Sequence, residues 1–415
     1  MRQILERDTF QNCLGKNMDI KNIVCSLNDK VRTPFYLYDE KVILENINRL
    51  NDVFCKKNFG VLYAMKANSN PYILKLVKNA EMGIDACSVE EVKIALICGF
   101  SPESIYYNAD CLNSDEIDFA VERNVNLVIG SLDALYYLVK KHSGHELSLR
   151  LNSGIGAGHS SKVITNGELS KFGINFSDIP EAIRLCKNGK LKIVGIHSHT
   201  GSGEMGIASY VENANVMLDI SLQFDSLRFI NFGGGFGYDY KDHQEYDIDS
   251  LSENIRQLSS ARGAKDNIRL IIEPGRYLVA NTAILVSKVC SVKESSSRNF
   301  LGLDTGHNHF PRCFYYDAWH DIENISTLSN EMISYDITGY LCQSGDIFAR
   351  QRLLPKTKVG DLICIKDVGA YGYSMSSNFN SRVRPGEYLV DTEDNFSMIR
   401  RPECFEDIIS TFNLD

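Results

Sequence analysis

The sequence of 415 residues predicts an α/β fold, a (β/α)8 barrel of the TIM type, followed by a C-terminal, mostly-β domain built as a sandwich or a barrel. Eight short apolar runs alternate with helix-like intervals, and this rhythm favours a closed parallel barrel over an open sheet. After about Asn281 the chain changes to β-rich runs with few helical periods, which is typical of a second domain. Chemically distinctive residues follow several of the eight runs, where such a barrel gathers its catalytic groups.

The eight apolar runs are the predicted barrel strands. They are Val61–Met65, Gly83–Cys87, Ser104–Asn108, Asn126–Gly130, Leu147–Asn152, Ile193–His199, Arg228–Phe232 and Arg269–Glu273. The interval "SVEEVKIALICGF" after the second run carries apolar residues at helical spacing and has Gly99 near its end. Ser88, followed by Glu91 three positions later, resembles a capping box, so we expect this helix to begin directly after Ser88.

We expect three segments: an N-terminal segment of residues 1–40 that packs with the β domain, the barrel over residues 41–280, and the β domain over residues 281–415. A strand-like run at Thr33–Asp39 precedes the first barrel strand and could belong to either domain. The β domain is predicted from the runs Ala283–Glu294, Asp361–Tyr371 and Glu387–Asp391.

Composition argues against several classes of partner. The formal charge is −9, from 44 Lys and Arg against 53 Asp and Glu, and no long basic run suggests a nucleic-acid partner. The 12 cysteines show no CxxC pair or metal-finger spacing, and several lie in apolar runs, which fits a reducing cytoplasm. The N-terminus lacks a signal-peptide core and no apolar run is long enough to span a bilayer, so we expect a cytoplasmic protein without a membrane partner.

The residues that follow four of the predicted strands could serve one active site. They are Lys66 after the first strand, His197, His199 and Ser202 in "HSHTGSG" at the end of the sixth, Gly233–Gly237 in "GGGFG" after the seventh, and Glu273–Arg276 in "EPGR" at the end of the eighth. Each has an ordinary alternative: a solvated lysine, a metal-binding histidine pair, a glycine turn, or a turn with an ion pair. Neither a third ligand nor a spaced cysteine accompanies the histidines, so no metal is predicted. Their joint occurrence at four strand ends favours a shared site.

Together these residue types satisfy the needs of pyridoxal 5'-phosphate (PLP). A triglycine exposes backbone N–H donors to a phosphate, and a lysine amine forms a Schiff base with an aldehyde. A carboxylate beside a pyridine nitrogen keeps that nitrogen protonated, which makes the ring an electron sink. An imidazole can stack on a flat ring. The sequence therefore predicts a PLP site at this rim of the barrel.

Seven ordered motifs then carry a family resemblance over nearly the whole chain from Thr33 onward. They are "YAMKAN", "GAGHSSKVITNGELSKFGI", "HSHTGS", "NFGGGFG", "EPGR", "CQSGD" and "GAYGYSMSSNFNSRVRP". In these motifs the chain resembles the group IV PLP-dependent decarboxylases, which have an alanine-racemase-type barrel, and especially the diaminopimelate decarboxylases among them. The resemblance implies a second domain that is a β-sandwich or barrel, and a head-to-tail homodimer whose active sites are shared between the subunits.

The resemblance also implies a role for each site residue. Lys66 would hold PLP covalently, His199 would lie against its ring and Glu273 would face its pyridine nitrogen. The phosphate would be surrounded by Gly235, Gly275, Arg276 and Tyr371, with Ser202 nearby. Cys342, donated by the partner subunit, would return a proton to Cα. Arg312 and Tyr316 would bind substrate, and Arg276 would share its distal carboxylate. The histidine-rich "GHNHF" would then be a loop leading to Arg312 rather than a metal site.

One position departs from the family pattern. The glutamate that normally follows the acid cysteine, and that receives the distal ammonium of diaminopimelate, is Gln343 here. Three interpretations remain: decarboxylation of meso-diaminopimelate for lysine synthesis; decarboxylation of a related amino acid, such as an aminocarboxypropyl group on a larger molecule in microcin C-type peptide–nucleotide antibiotic maturation; or a non-catalytic, partner-binding homologue. The joint presence of Lys66, Glu273 and Cys342 argues against the third. The cysteine motif and the length of the tail favour a decarboxylase over a racemase.

Overall fold

The computed structural model describes residues 23–24, 31–54, 58–262 and 267–413, so most of the predicted N-terminal segment lies outside the described residues. The strands β1 to β18 are Phe35–Asp39, Phe59–Ala64, Gly83–Ala86, Ile105–Asn108, Asn126–Ile129, Glu146–Asn152, Ile174–Asn175, Lys192–His197, Phe229–Asn231, Arg269–Ile272, Ala283–Glu294, Asn299–Leu303, Ile322–Asn324, Met332–Thr338, Ile347–Pro355, Leu362–Ile365, Gly386–Val390 and Phe396–Arg400. The helices α1 to α11 are Glu40–Phe54, Pro71–Asn79, Val89–Ile97, Ser114–Arg123, Leu132–Lys141, Ile179–Asn188, Ala208–Ser221, Ile248–Ala261, Arg276–Val279, Arg312–Tyr316 and Phe405–Ile409. None of the helices in this described part of the chain has the length and apolar character that crossing a membrane requires.

The described chain divides into two compact units. The barrel unit comprises Asn46–Asp239 and Gln244–Leu278. The β unit comprises the described residues up to Glu45, the short segment Tyr240–His243 and the described residues from Val279 onward.

The barrel unit confirms the predicted (β/α)8 architecture. Its eight parallel strands follow the order β2, β3, β4, β5, β6, β8, β9 and β10, and the β10–β2 pairing closes the ring. Each of the eight apolar runs of the sequence overlaps one of these strands. The two-residue strand β7 extends the ladder of β6 outside the ring.

Helix boundaries follow the local sequence, with one correction to the predicted capping box. Helix α3 begins after Ser88, whose side chain accepts a hydrogen bond from the backbone N–H of Glu91 at 3.1 Å. The Glu91 carboxylate does not close the box on Ser88; it accepts instead from the backbone N–H of Cys87 at 2.7 Å. The predicted end also holds, because Gly99 adopts a φ of +85° just past the helix, where glycine carries no Cβ penalty.

Large apolar side chains fill the interior of the barrel below its C-terminal rim. The buried cluster consists of Leu62, Tyr106, Val194, Phe229 and Ile271. The rings of Tyr106 and Phe229 meet edge to face with centroids 5.2 Å apart. Because side chains alternate along a strand, the residue two positions after an interior apolar residue also points inward, one layer closer to the rim.

The β unit is a mixed sheet organised around the long strand β11. Seven strands pair side by side in the order β15, β14, β12, β11, β1, β17 and β18. Strand β16 pairs with both β11 and β13, outside this order. Strand β1 lies between β11 and β17, so the run that could belong to either domain pairs within this sheet. Its core includes Phe35, Leu37, Ile284, Val286 and Cys364.

The predicted strand run Asp361–Tyr371 is only partly a strand. Strand β16 covers Leu362–Ile365, and the chain then turns with left-handed φ values of +57° at both Asp367 and Tyr371. Between them, a Cβ on Gly369 would lie 1.9 Å from the carbonyl oxygen of Val279. These local requirements end the strand, although the apolar pattern of the sequence continues.

Candidate active site

The lysine that follows the first barrel strand lies against a buried aspartate. Strand β2 ends at Ala64, and Lys66 follows in a short 3-10 turn over Met65–Ala67. Its Nζ lies 2.5 Å from Oδ2 of Asp85, whose side chain is fully buried, whereas the Lys66 side chain is 35% exposed. The amine is thus fixed at the C-terminal rim while part of the side chain remains accessible.

Burial shifts the titration of the two groups beside Lys66. It raises the pKa of Asp85; the charge of Glu273 adds to this shift, and the charge and hydrogen bond of Lys66 oppose it. Burial also raises the pKa of the Cys87 thiol to about 12, and Cys87 Sγ lies 3.6 Å from Lys66 Nζ. Cys87 is therefore a neutral thiol at neutral pH.

Glu273, directly after β10, is a buried carboxylate with two side-chain partners. Its Oε1 accepts a hydrogen bond from Nδ2 of Asn231 at 2.7 Å, and its Oε2 lies 3.1 Å from Nε2 of His197. Burial alone would raise the pKa of Glu273, but the charge and hydrogen bond of His197 and the charge of Lys66 outweigh it and lower the pKa to about 2. Glu273 therefore stays ionised at neutral pH.

His199 is a neutral ring beside the glycine loop that follows β9. Burial lowers the pKa of His199 well below its usual value, and the nearby charges of Lys66 and Arg150 add to the shift. Its Nδ1 accepts a hydrogen bond from the backbone N–H of Gly234 at 3.0 Å. Since Nδ1 accepts, Nε2 carries the proton of the neutral ring.

The glycine loop has a conformation that other residues would not adopt easily. Gly233 and Gly235 have φ values of +73° and +108°. A Cβ on Gly234 would lie 2.0 Å from the carbonyl oxygen of Glu273, and one on Gly235 would lie 2.5 Å from that of Gly201. The loop is therefore bare backbone at the rim, as close approach to an anion requires.

Two further predicted residues meet beside this loop. Nη2 of the buried Arg276 donates a hydrogen bond to Oγ of Ser202 at 3.0 Å. Gly275 packs on the end of β2, where a Cβ would lie 3.1 Å from that of Ala64. The structure thus brings the predicted residues of the barrel unit to one rim, at the ends of β2, β8, β9 and β10.

In the β unit, Cys342 is held by an asparagine. The backbone N–H of Cys342 donates to Oδ1 of Asn380 at 3.3 Å, and Nδ2 of Asn380 donates to Sγ at 3.2 Å. The neighbouring Gln343 is exposed, and its Oε1 lies 2.6 Å from Nε2 of His307.

The other predicted residues of the β unit lie on α10 and in the turn after β16. Arg312 is buried, with Nη1 2.8 Å from Nε2 of His320 and its guanidinium 4.1 Å from the ring centroid of Tyr240. Tyr316 lies four residues later on the same helix and hence on the same face. Tyr371 is half-buried at the left-handed position described above.

The histidine-rich loop contains a buried neutral histidine. Burial lowers the pKa of His309 to about 4, and its ring lies 2.9 Å from the Val383 carbonyl oxygen and 3.0 Å from Oγ1 of Thr305. Across the described stretches of the chain, no group of three or more His, Cys, Asp or Glu is placed to hold a metal ion.

Sequence reasoning misses three polar residues of the site and the role of a fourth. Asp85, Asn108 and Asn231 lie within predicted apolar strands, and His197 is named at its strand end without a role toward Glu273. Asn108 Nδ2 lies 3.1 Å from His197 Nε2, so this asparagine contacts the histidine that lies against Glu273. The sequence does contain a signal for the two asparagines. Asn108 and Asn231 each lie two residues after an interior aromatic residue of the same strand, so their side chains point into the barrel.

Comparison with known proteins identifies the family. A family profile described as "Pyridoxal-dependent decarboxylase, pyridoxal binding domain" matches residues 40–280. The chain belongs to the pyridoxal-dependent decarboxylases. This decarboxylase is 36% identical over 401 residues to the diaminopimelate decarboxylase of Methanothermobacter thermautotrophicus, which covers 94% of this chain and 93% of that relative. It is 34% identical over 399 residues to the diaminopimelate decarboxylase of Escherichia coli strain K12, covering 91% and 93%.

The fold of the decarboxylase is similar to that of solved relatives. The crystal structure of diaminopimelate decarboxylase from Helicobacter pylori complexed with L-lysine aligns with a TM-score of 0.87 at 31% identity, covering 93% of this chain and 98% of that one. The decarboxylase is thus a PLP-dependent carboxy-lyase that acts on amino acids, and its cofactor is pyridoxal 5'-phosphate.

The residues of the barrel rim fit this cofactor. The ionised, buried Glu273 suits a protonated pyridine nitrogen. The left-handed glycines Gly233 and Gly235 offer bare backbone to a phosphate, and the guanidinium of Arg276 lies beside Ser202. Lys66 presents a partly accessible primary amine on the same rim.

Proposed function

We propose that Lys66 holds PLP covalently, that Glu273 faces its pyridine nitrogen and that His199 packs against its ring. The phosphate is bound by the remaining predicted residues, Ser202, Gly235, Gly275, Arg276 and Tyr371. The observation that carries this proposal is the buried Glu273 carboxylate, held by Asn231 and His197 at the same rim on which Lys66 presents its amine. When bound, the cofactor supplies an electron sink for the electron pair left on Cα by loss of CO₂.

We propose next that Cys342 supplies the proton that replaces the lost carboxylate on Cα, as the family resemblance implies. The exposed position of Cys342 and the double hydrogen bond that orients it toward Asn380 support this role. In the resemblance this cysteine comes from the partner subunit, so the proposal includes a homodimer with shared active sites.

For the substrate, we propose an α-amino acid of the diaminopimelate type. The relatives named above are diaminopimelate decarboxylases, and one of them is complexed with L-lysine. Arg312, Tyr316 and Arg276 bind the distal carboxylate. A guanidinium can donate two parallel hydrogen bonds to a carboxylate, which fixes the orientation of that group. The comparisons give no support to a substrate group on a larger molecule or to a non-catalytic homologue.

Gln343 favours a second candidate within this substrate class. An amide carries no charge to pair with a distal ammonium, although its oxygen can still accept a hydrogen bond. The second candidate is therefore an α-amino acid with a distal anionic group but without the distal ammonium, such as 2-aminopimelate.

The test is CO₂ release by the PLP-loaded protein from meso-2,6-diaminopimelate and from 2-aminopimelate, which differ only by the distal amine. A hydrogen bond to a charged group is worth about 1.5–3 kcal/mol. At about 1.4 kcal/mol per tenfold, the kcat/KM of the wild type for meso-diaminopimelate should be roughly tenfold to a hundredfold below that of Gln343→Glu. Equal use of meso-diaminopimelate by wild type and Gln343→Glu would remove the second candidate, and no CO₂ from either amino acid would contradict the proposed substrate class.

A further inference from the structure

The orientation of the Gln343 amide is set by a hydrogen bond. Its Oε1 lies 2.6 Å from Nε2 of His307. A carboxamide oxygen can only accept a hydrogen bond, so this contact requires the His307 tautomer that carries its proton on Nε2. In that tautomer, turning the amide over would bring its own NH₂ group against the N–H of His307, so the tautomer gives the pair one polarity.

The imidazole that sets this polarity is itself held in place. The ring of His307 stacks on Phe314, with centroids 4.3 Å apart and planes 13° from parallel. Phe379 stacks on the same ring at 5.9 Å and 24°. Phe314 belongs to α10, the helix that also carries Arg312 and Tyr316.

The buried carboxylate of Asp346 binds both the segment that carries His307 and the loop that carries Gln343. Oδ1 of Asp346 accepts a hydrogen bond from the backbone N–H of His307 at 2.7 Å, and Oδ2 accepts from that of Leu341 at 2.8 Å. The backbone N–H of Asp346 also donates to the carbonyl oxygen of Gln343 at 3.0 Å. The loop that carries Cys342 and Gln343 is therefore fixed relative to His307.

We propose that His307, with its proton on Nε2, is a positioning residue that fixes the Gln343 amide with its N–H donors outward beside Cys342. The site then selects an α-amino acid whose distal end accepts hydrogen bonds over one whose distal end is an ammonium. Such an acceptor is a carboxylate, a phosphate or a neutral carbonyl group. This inference rests on the proposed function. A distal ammonium has only donors to offer an amide NH₂ group, so it cannot be satisfied there.

The test measures selectivity, defined as kcat/KM for 2-aminopimelate divided by kcat/KM for meso-2,6-diaminopimelate. His307→Phe keeps a flat ring between Phe314 and Phe379 but removes the N–H donor, so the Gln343 amide can turn its oxygen outward. The selectivity is expected to fall by about tenfold, through KM rather than kcat, because one neutral hydrogen bond is worth about this much. His307→Leu, a second replacement without a donor, should give the same shift.

The same His307 substitution made in Gln343→Glu distinguishes positioning of the amide from packing of the His307 ring. In Gln343→Glu the two carboxylate oxygens are equivalent, so there is no polarity for His307 to set. Adding His307→Phe there should change the selectivity by less than about twofold, which makes the two substitutions non-additive. An equal loss in both backgrounds, or unchanged selectivity in the Gln343 background while CO₂ is still released, would overturn the inference and leave the proposed function standing. No CO₂ from either substrate would overturn both.

Discussion

At the scale of single residues, Glu273 shows how burial and charge combine in this site. Its carboxylate is kept ionised by His197 and Lys66 in spite of burial. Glu273→Gln keeps the shape but removes the charge that the pyridine nitrogen requires. We expect kcat for CO₂ release to fall on the order of a hundredfold or more, because a preorganised charge at the reacting group is lost. Glu122→Gln, on the exposed face of α4, is the matched control, and a loss in Glu273→Gln no larger than in this control would contradict the assigned role.

Residue types at strand ends could be selected from the sequence, but their partners could not. Lys66, His199 and Glu273 stand out because a charge or an imidazole follows an apolar run. Asp85 is hidden inside such a run, and its contact with Lys66 joins two strands, which no local pattern encodes. Gln343 could be singled out from the resemblance, whereas its bond to His307 spans 36 residues and needed the structure.

At the scale of elements, the glycine loop after β9 is the least replaceable segment of the rim. Gly235→Ala would place a Cβ 2.5 Å from the Gly201 carbonyl oxygen at a φ of +108°. We expect PLP affinity to fall by tenfold or more, since the left-handed strain alone costs about 1–2 kcal/mol. Titration of the apoprotein with PLP, followed by absorbance, measures the effect.

The matched control for the loop is Gly206→Ala, because a Cβ there would meet nothing within 4 Å. Gly206→Ala should bind PLP as the wild type does. Equal affinity in Gly235→Ala and Gly206→Ala would mean that the loop does not approach the phosphate.

The buried His309 of the histidine-rich loop should make the free energy of unfolding depend on pH. Burial lowers the pKa of His309 to about 4, below its ordinary value near 6.5. Between these values the unfolded chain takes up a proton that the folded chain excludes, so the stabilisation is complete above about pH 6.5 and is lost as the pH falls toward 4. The loss between pH 7.5 and 4.5 should be on the order of 2–3 kcal/mol.

This loss can be followed in the β unit by urea unfolding, because Trp319 is the single tryptophan of the chain. His309→Gln cannot titrate and should show a flatter dependence of unfolding free energy on pH. The same slope in wild type and His309→Gln would show that His309 does not cause the effect.

The sequence predicts the strands better than the turns. Each of the eight predicted runs overlaps a barrel strand, because buried parallel strands give short apolar runs with clear breaks. The predicted strand Asp361–Tyr371 extends beyond the end of β16. The two residues with left-handed φ values, Asp367 and Tyr371, are not glycines, so their residue types do not indicate a turn. The Glu91 carboxylate binds the N–H one residue earlier than a capping box requires, a choice made by geometry rather than by residue type.

At the scale of the whole molecule, the proposed homodimer predicts complementation. Lys66→Ala and Cys342→Ala should each be inactive alone. If the two residues of one site come from different subunits, mixed dimers contain one intact site, and an equal mixture should recover up to about a quarter of wild-type activity. No recovery, with subunit exchange shown by native mass spectrometry, would count against shared sites.

The architecture of a barrel followed by a β domain could be predicted at this scale, because the change from alternating to β-rich runs is a property of composition. The pairing of β1 with β11 and β17 could not, since a single short run does not specify its partners.

The central claim is that Lys66 is the residue that carries PLP. The direct measurement is borohydride reduction of the PLP-loaded protein, followed by peptide mapping with mass spectrometry. We expect the reduced pyridoxyl group on Lys66, and Lys66→Ala should lose both this adduct and the visible absorbance band of the bound cofactor. A pyridoxyl group found on another lysine of the wild type, or an adduct that persists at the same rim in Lys66→Ala, would contradict the assignment.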